Sequence, residues 1–215
     1  PGHGPLSGAG VTAPAPVKPR RLVRLYTRGW DEVDGPTRVA FEEMFTEIRR
    51  RGVEIITRDK SHAVAELEAR LDAGVAGALD MIAWEMKWPF EDYVARWGDK
   101  VGERIRGLIA RAGEMRASDY ASLLEAQRAI RAQVRKVADG TDGFIFPAAS
   151  SVAPAGHQFT GSRTFLAYWS WTGFPAFSLP LLEVHKLPLG LQLAGVGDGD
   201  GALCAVANWL MKEFG

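Results

Sequence analysis

The chain has 215 residues, 47% of them hydrophobic, which is enough apolar mass for one large domain or two small ones around a packed core. Lys plus Arg and Asp plus Glu number 26 each, so a net charge of zero supplies no field to steer nucleic acid or an anionic membrane, and neither partner is expected. No apolar run reaches the roughly 18 residues that cross a bilayer, and no signal-peptide-like sequence opens the chain, so the expected compartment is the cytoplasm.

Residues 1–19, PGHGPLSGAGVTAPAPVKP, are mostly Gly, Pro, Ala and Ser and read as a loop or linker with a solvated His3. The chain begins at Pro1 rather than at a methionine, and residues in front of it are expected. Residues 20–60 read as a strand at Arg21–Thr27, a helix, and a strand over VEIITRD, together a βαβ unit. Asp34 caps that helix and Pro36 sits in its first turn; Val39, Phe41, Met44, Phe45 and Ile48 supply its buried face, and Gly52 ends it. Arg49–Arg51 are a solvated, dipole-compensated helix end rather than a basic patch.

Residues 61–140 are helical almost throughout, with breaks expected at Pro89 and near Gly113 and a last long helix capped by Ser118 and running to Ala138. Trp84, Trp88, Tyr93 and Trp97 recur at helical spacing, which fits either core packing or a lid over an apolar substrate. Residues 141–215 read as a buried strand GFIFPA, a helix GSRTFLAYWSW ending at Gly173, and strands AFSLPLL and LPLGLQLAGV joined by EVHK. An amphipathic helix, GALCAVANWLMKEF, closes the chain. Its Cys204, the single cysteine, excludes an internal disulfide and a multi-thiolate metal site and reads as a small core residue. The fold class is therefore α/β, a mixed β-sheet flanked by helices.

Ser150 and Ser151 sit on a small-residue loop after GFIF, with His157 six residues beyond Ser151. A self-contained serine hydrolase needs a base in hydrogen-bond reach and backbone N–H groups for the oxyanion. Here the neighbours are Ala148, Ala149, Val152 and Ala153, Pro154 has no N–H to give, and no G-x-S-x-G elbow occurs. The four histidines lack ligand spacing and no acidic cluster joins them, so no metal is expected. AGVGDGDG lacks the Lys and Ser or Thr of a phosphate loop and the closing Glu of a calcium loop; it reads as a polar turn with Asp200 capping the last helix.

Asp142 to Gly195 resembles the C-terminal part of the amidase signature family. The resemblance rests on the Asp-led strand Asp142–Pro147, Ala153-Pro154, Thr160-Gly161, the strand from Gly173-Phe174-Pro175 to Pro180, and Pro188-Leu189-Gly190-Leu191-Gln192. PGHGPLSG, RLYTRGWDEVD and the helix from Ser118 to Asp139 match more loosely, which extends the resemblance over nearly the whole chain. It implies hydrolysis of a carboxylic amide by a Ser-Ser-Lys set on a Gly- and Ser-rich segment that precedes this region and is not in this sequence. No catalytic residue is then expected here, and no cofactor. The expected partners are a small-molecule amide and an N-terminal catalytic half of the same protein, and a homodimer is compatible with both. Ser150 and Ser151 become a pocket-edge loop, and Thr160, Gly161, Ser162 and Arg163 a helix start that lines the channel, with Trp88 as the aromatic contact. Arg163 is equally well read as a surface arginine of that first turn. Strands 143–147, 176–182 and 187–195 are expected to pair within one larger sheet. A second reading, from another class, is a noncatalytic binding or assembly module that uses the aromatic helices as its contact surface.

Overall fold

The structure, a computed structural model, describes residues 14–215, so His3 and most of the expected linker lie outside the described residues. Residues 14–17 of that stretch dock on the last helix: Val17 N–H donates to the Ala205 carbonyl (3.0 Å) and Asn208 donates to the Pro14 carbonyl (2.8 Å).

Five strands, β1 (Arg21–Arg24), β2 (Glu54–Ile56), β3 (Phe144–Pro147), β4 (Ala176–Val184) and β5 (Leu187–Ala194), form one mixed sheet in the order β2-β1-β3-β5-β4. Strand β1 (Arg21–Arg24), helix α1 (Gly35–Arg50) and β2 (Glu54–Ile56) make the expected unit, with β1 and β2 parallel. The Asp34 carboxylate accepts from Thr37 N–H (2.8 Å) and opens α1, while Gly52, at φ +78°, ends it in a conformation that a Cβ disfavours. The buried positions Thr37, Phe41, Phe45 and Ile48 share one face. Val39 does not share it: two residues from Phe41 it has rotated about 200° around the helix, and it is 56% exposed.

Helix α2 (His62–Trp97) runs unbroken for 36 residues, through the expected break at Pro89. A proline inside a helix removes one N–H bond and strains the turn before it, which a helix of this length tolerates. Helix α3 (Glu103–Glu114) and helix α4 (Ala117–Ala138) follow. The acceptor at the start of α4 is Asp119, which takes Arg116 N–H at 2.8 Å, and not Ser118 as the sequence led us to expect.

Strand β3 (Phe144–Pro147) pairs parallel with β1 and antiparallel with β5 (Leu187–Ala194), which in turn pairs antiparallel with β4 (Ala176–Val184). The Asp142 carboxylate accepts the backbone N–H groups of Arg20 (2.7 Å) and Arg21 (2.9 Å), tying the start of β1 to the entry of β3. Phe144, Ile145 and Phe146 are all buried; consecutive residues point to opposite faces, so both faces of β3 are covered. Helix α5 (Thr164–Thr172) lies against one of them: Trp169 packs on Phe144 and Phe146, with ring centroids 5.0 and 5.5 Å away, and its indole N–H donates to the Gly195 carbonyl (2.9 Å). The β4–β5 hairpin turns through His185 and Lys186, both at positive φ. Helix α6 (Asp200–Phe214) starts from Gly199; the Asp200 side chain makes no cap hydrogen bond, and Cys204 is half-buried rather than a core residue.

Candidate functional site

Between β3 and α5 the chain makes the loop that carries most of the sequence-derived site residues. Its first residue, Ala148, is fixed to β5 by an N–H bond to the Gly190 carbonyl (3.0 Å). Gly190 is demanded by this approach, because a Cβ there would run into Ser178 Oγ and come within 3.0 Å of the Ala148 methyl. Ser150 is buried. Ser151 Oγ donates to the Val152 carbonyl (3.0 Å), His157 is exposed, and no hydrogen bond joins it to either serine.

The helix after this loop begins at Thr164, so Thr160–Arg163 precede its first turn instead of forming it. Gly161 has φ +97°, a region open to glycine, and Thr160 and Arg163 are exposed. Ser162 Oγ accepts Thr164 N–H (3.2 Å) and lies 3.0 Å from Thr164 Oγ1, and Thr164 Oγ1 donates to Glu32 (2.7 Å). The first N–H of α5 is thus taken by Ser162. One turn on, buried Tyr168 donates its hydroxyl proton to Asp72 (2.8 Å) and accepts Gly29 N–H (3.2 Å). Burial pushes the Tyr168 phenol up to about 12, with the Asp72 carboxylate adding to the rise against the opposing pull of the nearby Thr27 hydroxyl.

A recess of about 480 Å³ opens between α5 and the β4–β5 pair, lined by Leu166, Trp169, Ser170, Phe174, Phe177, Ser178 and Gln192 among others. Its walls are apolar apart from the two serines and the amide, and it is open to solvent. None of the seven sequence-derived site residues lines it. Ser170, Ser178 and Gln192 line it and were not singled out from the sequence as site residues; Gln192 stands in the P-x-G-x-Q stretch, a signal that was available, and Ser178 opposes it in register.

Trp88 is 87% exposed on α2, and Tyr93 and Trp97 are exposed beyond it, so these three are not core. Trp84 alone of the group is partly covered, stacked on Tyr120 at 5.5 Å. No hydrogen bond or aromatic contact joins Trp88 to the loop of Ser150–Arg163 among the described residues. Glu68, buried on α2, accepts Tyr26 N–H and pairs with Arg58; burial raises its carboxyl above the ordinary range, against the pull of both partners. Together with Asp72, which accepts Arg28 N–H (3.1 Å), it fixes the segment after β1.

No helix among the described residues is long and apolar enough to cross a membrane. Neither a protein-family model nor a curated protein sequence matches the chain. Solved structures do. A crystal structure of an amidase superposes with a TM-score of 0.79 at 19% identity, over 94% of this chain and 48% of that one. A 6-aminohexanoate cyclic dimer hydrolase matches with 0.68 at 15% identity, over 94% and 46%. A bacterial aryl acylamidase of the amidase signature enzymes matches with 0.69 at 12% identity, over 92% and 44%. The chain therefore has the α/β fold of solved amidases and spans about half the length of those it resembles.

Proposed function

We propose that this chain is the substrate-shaping part of an amidase-signature enzyme that hydrolyses carboxylic amides, with the acylated serine and its lysine on polypeptide outside it. The observation that carries the reading is the superposition on an amidase over 94% of this chain and only 48% of that enzyme. Acyl transfer requires a nucleophile within hydrogen-bond reach of a base and donors aimed at the developing oxyanion. Here Ser151 gives its proton to a neighbouring carbonyl, and His157 points to solvent. The work left to this portion is to bind and orient. Ser150 and Ser151 edge the pocket, Thr160–Arg163 contact the acyl or leaving group, and the recess beside α5 takes an apolar part of the substrate.

A second reading, a noncatalytic assembly module, draws support from exposed Trp88, Tyr93 and Trp97. In the favoured reading the same side chains meet other polypeptide or cover the substrate.

The test is co-expression of this chain with a catalytic half that carries the Ser-Ser-Lys set, followed by assay on an aryl amide. The expected result is turnover by the pair and none by either part alone. A pair that assembles stably and turns over no amide would leave the assembly reading in its place.

A further inference from the structure

We infer that Glu32 is a positioning residue for Ser162 and Arg163, and through them for the substrate; this rests on the proposal that Thr160–Arg163 contact the substrate. The segment from Tyr26 to Val33 touches α5 at successive turns. Gly29 N–H donates to Tyr168 (3.2 Å), and the Trp30 ring meets the Phe165 ring edge-on at 6.3 Å. The Gly29 backbone lies so close to Phe165 that a Cβ there would stand 3.0 Å from the ring. The segment is itself held: Trp30 N–H donates to the Thr27 carbonyl (3.0 Å), the Trp30 indole to the Leu25 carbonyl (3.0 Å), and Arg28 N–H to Asp72 (3.1 Å). Glu32 therefore reaches α5 from a fixed platform.

What it grips is a small hydroxyl relay. A carboxylate accepts only, so at 2.7 Å it takes the Thr164 hydroxyl proton. Thr164 Oγ1 is then left as the acceptor for the Ser162 hydroxyl 3.0 Å away, and Ser162 Oγ in turn accepts Thr164 N–H (3.2 Å). Glu32 thus sets the direction of both hydroxyls and closes a ring that holds Ser162 against the first turn of α5. Arg163, between the two, makes no side-chain cap hydrogen bond to α5, and its backbone is held between the two members of this ring. Without Glu32, Thr164 is free to donate to Ser162 and the ring loses its anchor.

The test uses Glu32→Ala and Glu32→Gln, the second of which keeps an acceptor oxygen. On this chain alone, hydrogen exchange of the Thr164 amide, whose N–H Ser162 Oγ accepts, should rise roughly five- to ten-fold in Glu32→Ala and stay near wild type in Glu32→Gln. In the enzyme assembled with its catalytic half, Glu32→Ala should raise KM by a similar factor, about five- to ten-fold, with kcat nearly unchanged, and Glu32→Gln should restore it. Unchanged exchange in a folded Glu32→Ala would overturn the positioning role. Faster exchange with unaltered KM would overturn the link to substrate. An assembled pair with no amidase activity would sink the proposed function and the substrate link together, while the exchange data still decide whether Glu32 positions Ser162.

Discussion

Tyr168 Oη lies 2.8 Å from an Asp72 carboxylate oxygen and 3.2 Å from the Gly29 nitrogen, so one phenol joins α5, α2 and the segment after β1. Tyr168→Phe removes the joint while keeping the ring, and leaves Gly29 N–H without a partner; it should cost about 1–3 kcal/mol in urea unfolding. The pH dependence has a definite sign. The folded phenol titrates near 12 and the unfolded one near 10, so between these values the unfolded chain holds fewer protons and stability falls as pH rises. Below pH 10 the contribution is complete, and across the window the loss amounts to about 3 kcal/mol. The stability advantage of wild type over Tyr168→Phe should therefore shrink from pH 9 through 10 to 11, and an advantage that does not change with pH would contradict it.

Glu68 supplies a test at the acid end. Its carboxyl titrates above the ordinary range because it is buried, so the folded chain takes up the proton first as pH falls. Stability from this group therefore rises as pH falls through its folded value towards the unfolded one, the reverse of a surface ion pair. Glu68→Ala leaves Tyr26 N–H without its acceptor and Arg58 without its carboxylate, though Arg58 keeps the Tyr26 carbonyl, and should cost about 1–3 kcal/mol. Glu68→Gln keeps an acceptor for Tyr26 and should cost less, with a flatter stability profile between pH 4 and 7, measured by thermal unfolding. A profile as steep as wild type would show that Glu68 is not its source.

Gly190 holds β4, β5 and the Ala148 turn together through the absence of a side chain. Gly190→Ala should destabilise by about 1–3 kcal/mol through overpacking. Ser178→Ala in the same chain should recover part of that loss, since Ser178 Oγ is the atom a new methyl meets first, and a double-mutant cycle measures the recovery. Strictly additive costs would mean that the strand pair yields elsewhere.

Much of this fold was legible in the sequence because its signals are local. Asp34 and Pro36 mark where α1 starts, Phe41, Phe45 and Ile48 repeat at the helical period, and GFIF is apolar at every position, as a strand covered on both faces must be. Pro89 misled because a breaker weakens a helix without forbidding it. The aromatic group misled because spacing shows which residues share a face but not what lies opposite, and among the described residues Trp88 is left 87% exposed. The site was less legible. Glu32 and Thr164 are 132 positions apart, and Asp72 and Tyr168 are 96 apart; no periodicity reports a pair of that kind. Ser162 and Arg163 were singled out through the resemblance, yet their place ahead of α5, with Ser162 turned back on Thr164, follows from those distant partners.

Thr160 and Arg163 are exposed, as the proposed substrate contact requires. In the assembled enzyme, Arg163→Ala and Thr160→Val should raise KM by roughly ten-fold where a contact of about 1.4 kcal/mol is lost, with kcat little changed. Comparing a small with a bulky aryl amide should show unequal effects on the two. A fall in kcat of several orders of magnitude on both, in a folded protein, would place these residues in the chemistry.

The central claim is that the chemistry belongs to polypeptide outside this chain, and active-site labelling tests it most directly. The chain and its co-expressed catalytic half are treated with a fluorophosphonate and each polypeptide is weighed intact. The account predicts one adduct on the catalytic half, loss of amidase activity in step with it, and an unmodified mass for this chain. A stoichiometric adduct on Ser150 or Ser151 would contradict it.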